Sequence, residues 1–173
     1  MTDEIIQTEL FQICFAKDRK GRDNRKFKPE EQKKILESVK CTEEIISKIL
    51  SFSLTSPRGE IYRVPIIFEK ISQEKVRKNH QNHFAMLAYP PIGTMWNATV
   101  KFEGIEIRSH TSIISLCPVA GTDLFETISH EITHAFINSF FEERGVNFSN
   151  LTYLLEGITE WMTKLTSIKY KKI

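Results

Sequence analysis

An α+β domain is what this sequence predicts: helices first, then a small, mostly antiparallel sheet, then two long helices. Three observations lead there. Apolar residues recur at three- and four-residue spacing in the first and last thirds of the chain, which is the period of a helix with one buried face. The middle third changes to short β-branched and aromatic runs bounded by turn residues, the mark of strands. A chain of 173 residues with 40% hydrophobic and 27% charged side chains has the size and composition of one globular domain spanning 1–173.

Taken in order, residues 3 to 15 carry Ile5, Ile6, Leu10, Phe11 and Cys14 at helical spacing, so a first helix is expected there. The run KDRKGRDNRKFK, residues 17 to 28, holds seven basic and two acidic side chains and reads as a solvated basic loop rather than a patch for anions. Pro29 suits the first turn of a helix that EEQKKILESV continues, and another helical run covers about 42 to 52 before TSPRGE breaks it. Residues 1–52 are therefore expected to be helical apart from the loop. The sheet is expected over 60–118, in IYRVPIIFEK, HFAMLAYP, NATVKFEGIEIRS and TSIISLC, with Glu103-Gly104 as a hairpin turn. Pro65 and Pro90-Pro91 argue against central strand positions. His80, His83 and His110 fall at strand ends and read as loop or surface histidines.

In the last third, Asp123 and Glu126 form a capping box that opens a helix over 122–144, stopped by Gly145. Ser149 or Asn150 then caps a final helix over 150–172.

Bulk properties narrow the function classes. A net charge of +2 and a basic run with Phe27 as its one aromatic make a nucleic-acid partner unexpected. The N-terminus MTDEIIQTEL has no apolar core behind a basic flank, and no apolar run reaches membrane-spanning length. The expectation is a cytoplasmic protein, or one exported by a route without a cleavable signal peptide, with no membrane partner. Cys14, Cys41 and Cys117 show neither metal-site spacing nor a disulfide framework, in keeping with a reducing compartment. Cys117 reads as a small buried filler rather than a redox switch. Oligomeric state has no signature in the sequence.

The chemistry is concentrated in SHEITHAF, residues 129 to 136. On a helix, positions i and i+4 lie about 40° apart and about 6 Å along the axis, so His130 and His134 project from one face. Two imidazoles so placed can take adjacent corners of a zinc tetrahedron. Glu131 is turned about 100° from His130, beside the metal as a base rather than a ligand. The apolar neighbours Ile128, Ile132, Ala135 and Phe136 put the motif in a buried mid-helix setting, where two imidazoles without partners would be costly. No histidine, cysteine or aspartate follows His134. Glu142 and Glu143 lie about 12 Å further along the same helix, out of reach. That leaves Glu156 and Glu160 in LLEGITEW as candidates for a third ligand, themselves i and i+4 on one helix face. Helix heights measured from the connecting turn mildly favour Glu160. Gly157, which costs about 1 kcal/mol against alanine in mid-helix, suggests that the helices approach closely beside Glu156.

HEITH followed by EGITE resembles the gluzincin group of zinc metallopeptidases, the thermolysin-like arrangement, over about residues 110 to 165. The resemblance implies a zincin-like fold, in which an HEXXH active-site helix is followed by a glutamate helix. It implies one zinc per chain held by His130, His134 and Glu156, with Glu131 as general base and Glu160 steadying a ligand histidine from outside. It implies hydrolysis of a protein or peptide substrate, as an endopeptidase. An edge strand ahead of the metal helix, here TSIISLCP, would pair with the extended substrate, an interior strand of the sheet being the bland alternative. Many members add a tyrosine or histidine that stabilises the developing oxyanion. Tyr153, one turn before Glu156, is the nearest candidate, with Tyr170 and His110 as others and packing in the helix interface as the bland alternative for Tyr153. The extended metzincin pattern does not fit, since Ile137 and Phe140 stand where it needs glycine and histidine. The rival to a peptidase is a zinc-binding interaction or regulatory module without activity.

Overall fold

In the computed structural model the described residues are 4–16, 26–50, 63–70, 85–88, 101–102, 105–106, 112–116, 124–143, 145 and 149–172. The chain opens with a hairpin of β1 (Ile5–Gln7) and β2 (Phe11–Phe15). The helix expected over 3–15 is therefore replaced by strands. β2 is an interior strand, and Phe11, Ile13 and Cys14 are all buried on it. A strand covered on both faces shows no apolar–polar alternation, and its apolar run imitates helical spacing. The hairpin connection is tied to the first helix by the buried carboxylate of Glu43. It accepts hydrogen bonds from the Thr8 hydroxyl (2.6 Å) and the Leu10 backbone N–H (2.5 Å).

That helix, α1 (Pro29–Leu50), runs unbroken for 22 residues, where the sequence suggested two. Proline stands at its start as expected, Glu30 and Glu31 occupy the first turn, and the Glu31 carboxylate accepts from the Lys28 N–H (2.8 Å). The Thr42 hydroxyl donates to the Ser38 carbonyl (2.7 Å) one turn back and lies 3.1 Å from the Ser129 hydroxyl. Of the basic segment, 17–25 lie outside the described residues. Phe27 is buried and meets Phe15 edge-on, so it cannot serve as a stacking platform for bases.

The remaining strands are β3 (Val64–Lys70), β4 (Ala85–Ala88), β5 (Lys101–Phe102), β6 (Ile105–Glu106) and β7 (Ser112–Leu116). Five of the seven strands among the described residues form one sheet in the order β1-β2-β3-β7-β4. It is mixed rather than mostly antiparallel: β2–β3 and β3–β7 run parallel, while β1–β2 and β4–β7 run antiparallel. β7, expected at an edge, is interior, and among the described strands β4 stands at that edge. Pro65 is also found in an interior strand. Val64 N–H donates to the Leu10 carbonyl on the β2 side, so the next position faces the β7 side, where the first pair among the described residues is Ile66 with Ser112. Proline thus stands near the start of β3, ahead of the described β3–β7 ladder. β5 and β6 pair as a separate hairpin, and their register leaves two residues between Phe102 and Ile105, as expected for a turn at 103–104. Pro90-Pro91, His80, His83, His110, Cys117 and Asp123 lie outside the described residues.

α2 (Phe125–Glu143) ends close to the expected position, with Gly145 at φ 65° supplying the left-handed stop. Asp123, the other half of the expected capping box, lies outside the described residues. The Glu126 carboxylate accepts from the Ser167 hydroxyl (2.7 Å) on the last helix, which holds it below the usual carboxylate range. That helix, α3 (Thr152–Lys171), follows a 3-10 turn at Ser149–Leu151 and has Leu151 at its N-cap, so neither Ser149 nor Asn150 caps it.

α2 touches β3, β4 and β7 on the sheet and also packs on α1 and α3, which makes it the central helix of the domain. Ile128, Ile132 and Phe136 meet the buried sheet residues Phe11, Ile66 and Ile114 in one core. Where the three helices meet, the buried side chains are small hydroxyls: Thr42 on α1, Ser129 and Thr133 on α2, and Thr159, Thr163 and Thr166 on α3. Short side chains let helix axes approach closely. The hydroxyls of Thr133, Thr163 and Thr166 donate to the carbonyl four residues back. The far end of α3 is fixed by the Lys169–Glu44 ion pair and by stacking of Tyr170 on Phe125. Among the described residues, no helix is long and apolar enough to cross a membrane.

Candidate metal centre

His130 and His134 lie on consecutive turns of α2, at the junction with α3. Their Nε2 atoms face each other at 3.0 Å, with the rings nearly perpendicular. Glu156 on α3 reaches both: Oε1 is 3.2 Å from His130 Nε2 and Oε2 is 3.0 Å from His134 Nε2. Two imidazole nitrogens and a carboxylate so arranged present three lone-pair donors to one point, where a single proton cannot satisfy all of them. Two donors at 2.0–2.1 Å from a tetrahedral ion sit about 3.3 Å apart, so the observed separations suit a metal ion at the centre. Among the described residues these three form the one His/Cys/Asp/Glu group able to hold a metal ion.

The outer atoms of both imidazoles are also engaged. His130 Nδ1 lies 3.4 Å from Glu160 Oε1, and His134 Nδ1 lies 3.4 Å from the Thr159 hydroxyl. A ligand histidine coordinates through the nitrogen without a proton, so its other nitrogen carries the N–H and needs an acceptor. Both outer partners can accept. Three residues of α3 therefore meet the two histidines, with Glu156 on the inner nitrogens and Thr159 and Glu160 on the outer ones.

Burial pushes the His134 imidazole below its ordinary pKa, and neighbouring His130 acts the same way, while Glu156 and Glu160 oppose them. A lowered value favours the neutral ring that a metal requires. It also sets a sign for stability. The folded state then binds fewer protons at His134 than the unfolded chain, so its contribution is present above an unfolded pKa of about 6.5 and is lost as pH falls below it. Metal-free protein is expected to melt at progressively lower temperature as pH is lowered from about 7 to 5, and His134→Gln should flatten that slope in a thermal-denaturation series.

Most residues singled out from the sequence come together here. Glu131 follows His130 on α2 and is partly buried. Of the two candidates, Glu156 meets the inner nitrogens of both histidines and Glu160 the outer nitrogen of His130. Gly157 does not mark close helix approach: it is exposed, and a Cβ there would meet nothing within 4 Å. Gly157→Ala is accordingly expected to stabilise the protein by about 0.5–1 kcal/mol without changing metal affinity, measurable by denaturant unfolding and metal titration.

Tyr153 is 94% exposed, outside the helix interface, one turn before Glu156. Tyr170 stacks on Phe125 about 20 Å further along α3 and so lies away from the histidine pair. Thr159 is the site residue that sequence reasoning missed. Its only signal was position, directly before Glu160 and three residues after Glu156 on the face turned to α2.

No family model matches the chain, and no curated protein or solved structure matches it at a significant level. The centre is thus characterised by its own geometry.

Proposed function

We propose that this chain is a zinc-dependent peptidase of the gluzincin kind, acting on a protein or peptide substrate as an endopeptidase. The observation that carries the reading is the convergence of His130 Nε2, His134 Nε2 and the Glu156 carboxylate at 3.0–3.2 Å, with Glu131 next to the first histidine on the same helix. Imidazole and carboxylate donors suit zinc, and a set of three leaves a position for water or substrate, as catalytic rather than structural sites do. The side chain of Glu156 is half exposed, so the centre is open to solvent from the α3 side.

Bound there, zinc supplies a Lewis acid that polarises a peptide carbonyl and makes a water more acidic. Glu131 accepts the proton of the attacking water and returns it to the leaving amine. Glu160 keeps the His130 ring oriented through its outer nitrogen. Tyr153, exposed on the same turn of α3, is available to donate to the developing oxyanion. With β7 interior, the substrate-pairing role passes to β4, the edge strand that packs on α2. An extended peptide would add to that edge by main-chain hydrogen bonds.

Metal analysis of the purified protein with a peptide-library digest tests the proposal. About one zinc per chain is expected, with cleavage abolished by a chelator and restored by zinc. A protein that holds zinc but cuts no member of the library would instead be an interaction module.

A further inference from the structure

Four buried threonines of the helix junction share one habit. Thr42, Thr133, Thr163 and Thr166 each donate to the carbonyl four residues back in their own helix. Thr159 has no exposed surface, and the contact of its hydroxyl is with another helix, at 3.4 Å from His134 Nδ1. A buried hydroxyl turned from its own backbone toward an imidazole is oriented for that imidazole.

We infer that Thr159 is a positioning residue for the metal centre: its hydroxyl accepts the Nδ1–H of His134 and so aims the Nε2 lone pair at the metal. The inference rests on the metal-binding reading above. The two ligand histidines are then inequivalent. His130 is backed by the carboxylate of Glu160, which is half exposed, whereas His134 is backed by a neutral hydroxyl shut off from water. A neutral acceptor fixes the tautomer without placing a second charge behind the imidazoles. Its loss removes the hydroxyl that meets the Nδ1 side of His134 and so loosens the aim of the Nε2 lone pair.

The test is zinc affinity by chelator competition on the full chain, comparing Thr159→Val, Thr159→Ala, Thr159→Ser and Thr166→Val, with metal-free melting temperatures measured alongside. Thr159→Val and Thr159→Ala should each bind zinc about 10- to 100-fold more weakly, the range for an outer partner of a ligand histidine. Thr159→Ser, which keeps the hydroxyl, should bind within about threefold of wild type. Thr166→Val removes an equally buried hydroxyl of the same helix that donates to the Met162 carbonyl, and should leave zinc affinity unchanged. If Thr159→Val fails to fold, Thr159→Ala against Thr159→Ser carries the comparison. Wild-type affinity in a folded variant without the hydroxyl overturns the inference, as does a serine variant as weak as alanine. Equal weakening by Thr166→Val would reduce the effect to general packing and also overturn it. Failure of wild-type protein to bind zinc at all would instead overturn the metal-site reading itself.

Discussion

Glu131→Gln protein is expected to keep its zinc and to lose turnover by about 10²- to 10⁴-fold, the usual contribution of a positioned general base. The amide matches the carboxylate in size and shape but cannot accept a proton at neutral pH. Glu131 stands outside the metal-holding group of His130, His134 and Glu156, so the exchange removes no ligand. Both halves of the result matter. Zinc content separates a lost base from a lost metal, and the melting temperature separates both from a lost fold. A variant that cleaved peptides at near wild-type rate would leave Glu131 without the role assigned to it.

Glu156→Ala and Glu160→Ala are expected to differ sharply in a zinc titration. Glu156 faces both Nε2 atoms, so its removal takes away one of three donors and should cost well over 100-fold in affinity. Glu160 contacts the outer nitrogen of His130, and its removal should cost about 10- to 100-fold. Both side chains are about half exposed, so neither change should unfold the domain. The reverse order, with Glu160→Ala emptying the site and Glu156→Ala retaining zinc, would exchange the two roles.

The site was legible in the sequence because helical geometry is rigid. Once SHEITHAF is helical, the separation of His130 from His134 follows, and downstream only Glu156 and Glu160 share the right spacing. Axial height alone pointed mildly to Glu160, because one coordinate along a helix cannot describe how two helices cross. Gly157 pointed to Glu156 for a mistaken reason, since its α-carbon faces open space. Thr159 was invisible because buried threonines recur along the inner face of α3, and only side-chain orientation distinguishes the one that meets a histidine.

The fold was read less well where tertiary burial overrides local pattern. The segment from Ile5 to Phe15 looked helical because β2 is covered on both faces. The two helical runs expected between Pro29 and residue 52 are one helix over Pro29–Leu50, because no glycine or proline interrupts the chain between them. The resemblance implied an edge strand just ahead of the metal helix, yet β7 pairs on both sides, with β3 and with β4.

The central claim is that the paired histidines of α2 and Glu156 of α3 hold one catalytic zinc. X-ray absorption at the zinc edge, on stoichiometrically loaded protein, reads that ligand set directly. Two imidazole nitrogens and oxygen ligands at about 2.0–2.1 Å, with no sulfur shell, are expected, and His134→Ala should remove one imidazole or the metal altogether. A sulfur shell at about 2.3 Å, or a spectrum unchanged in both His134→Ala and Glu156→Ala, would contradict it.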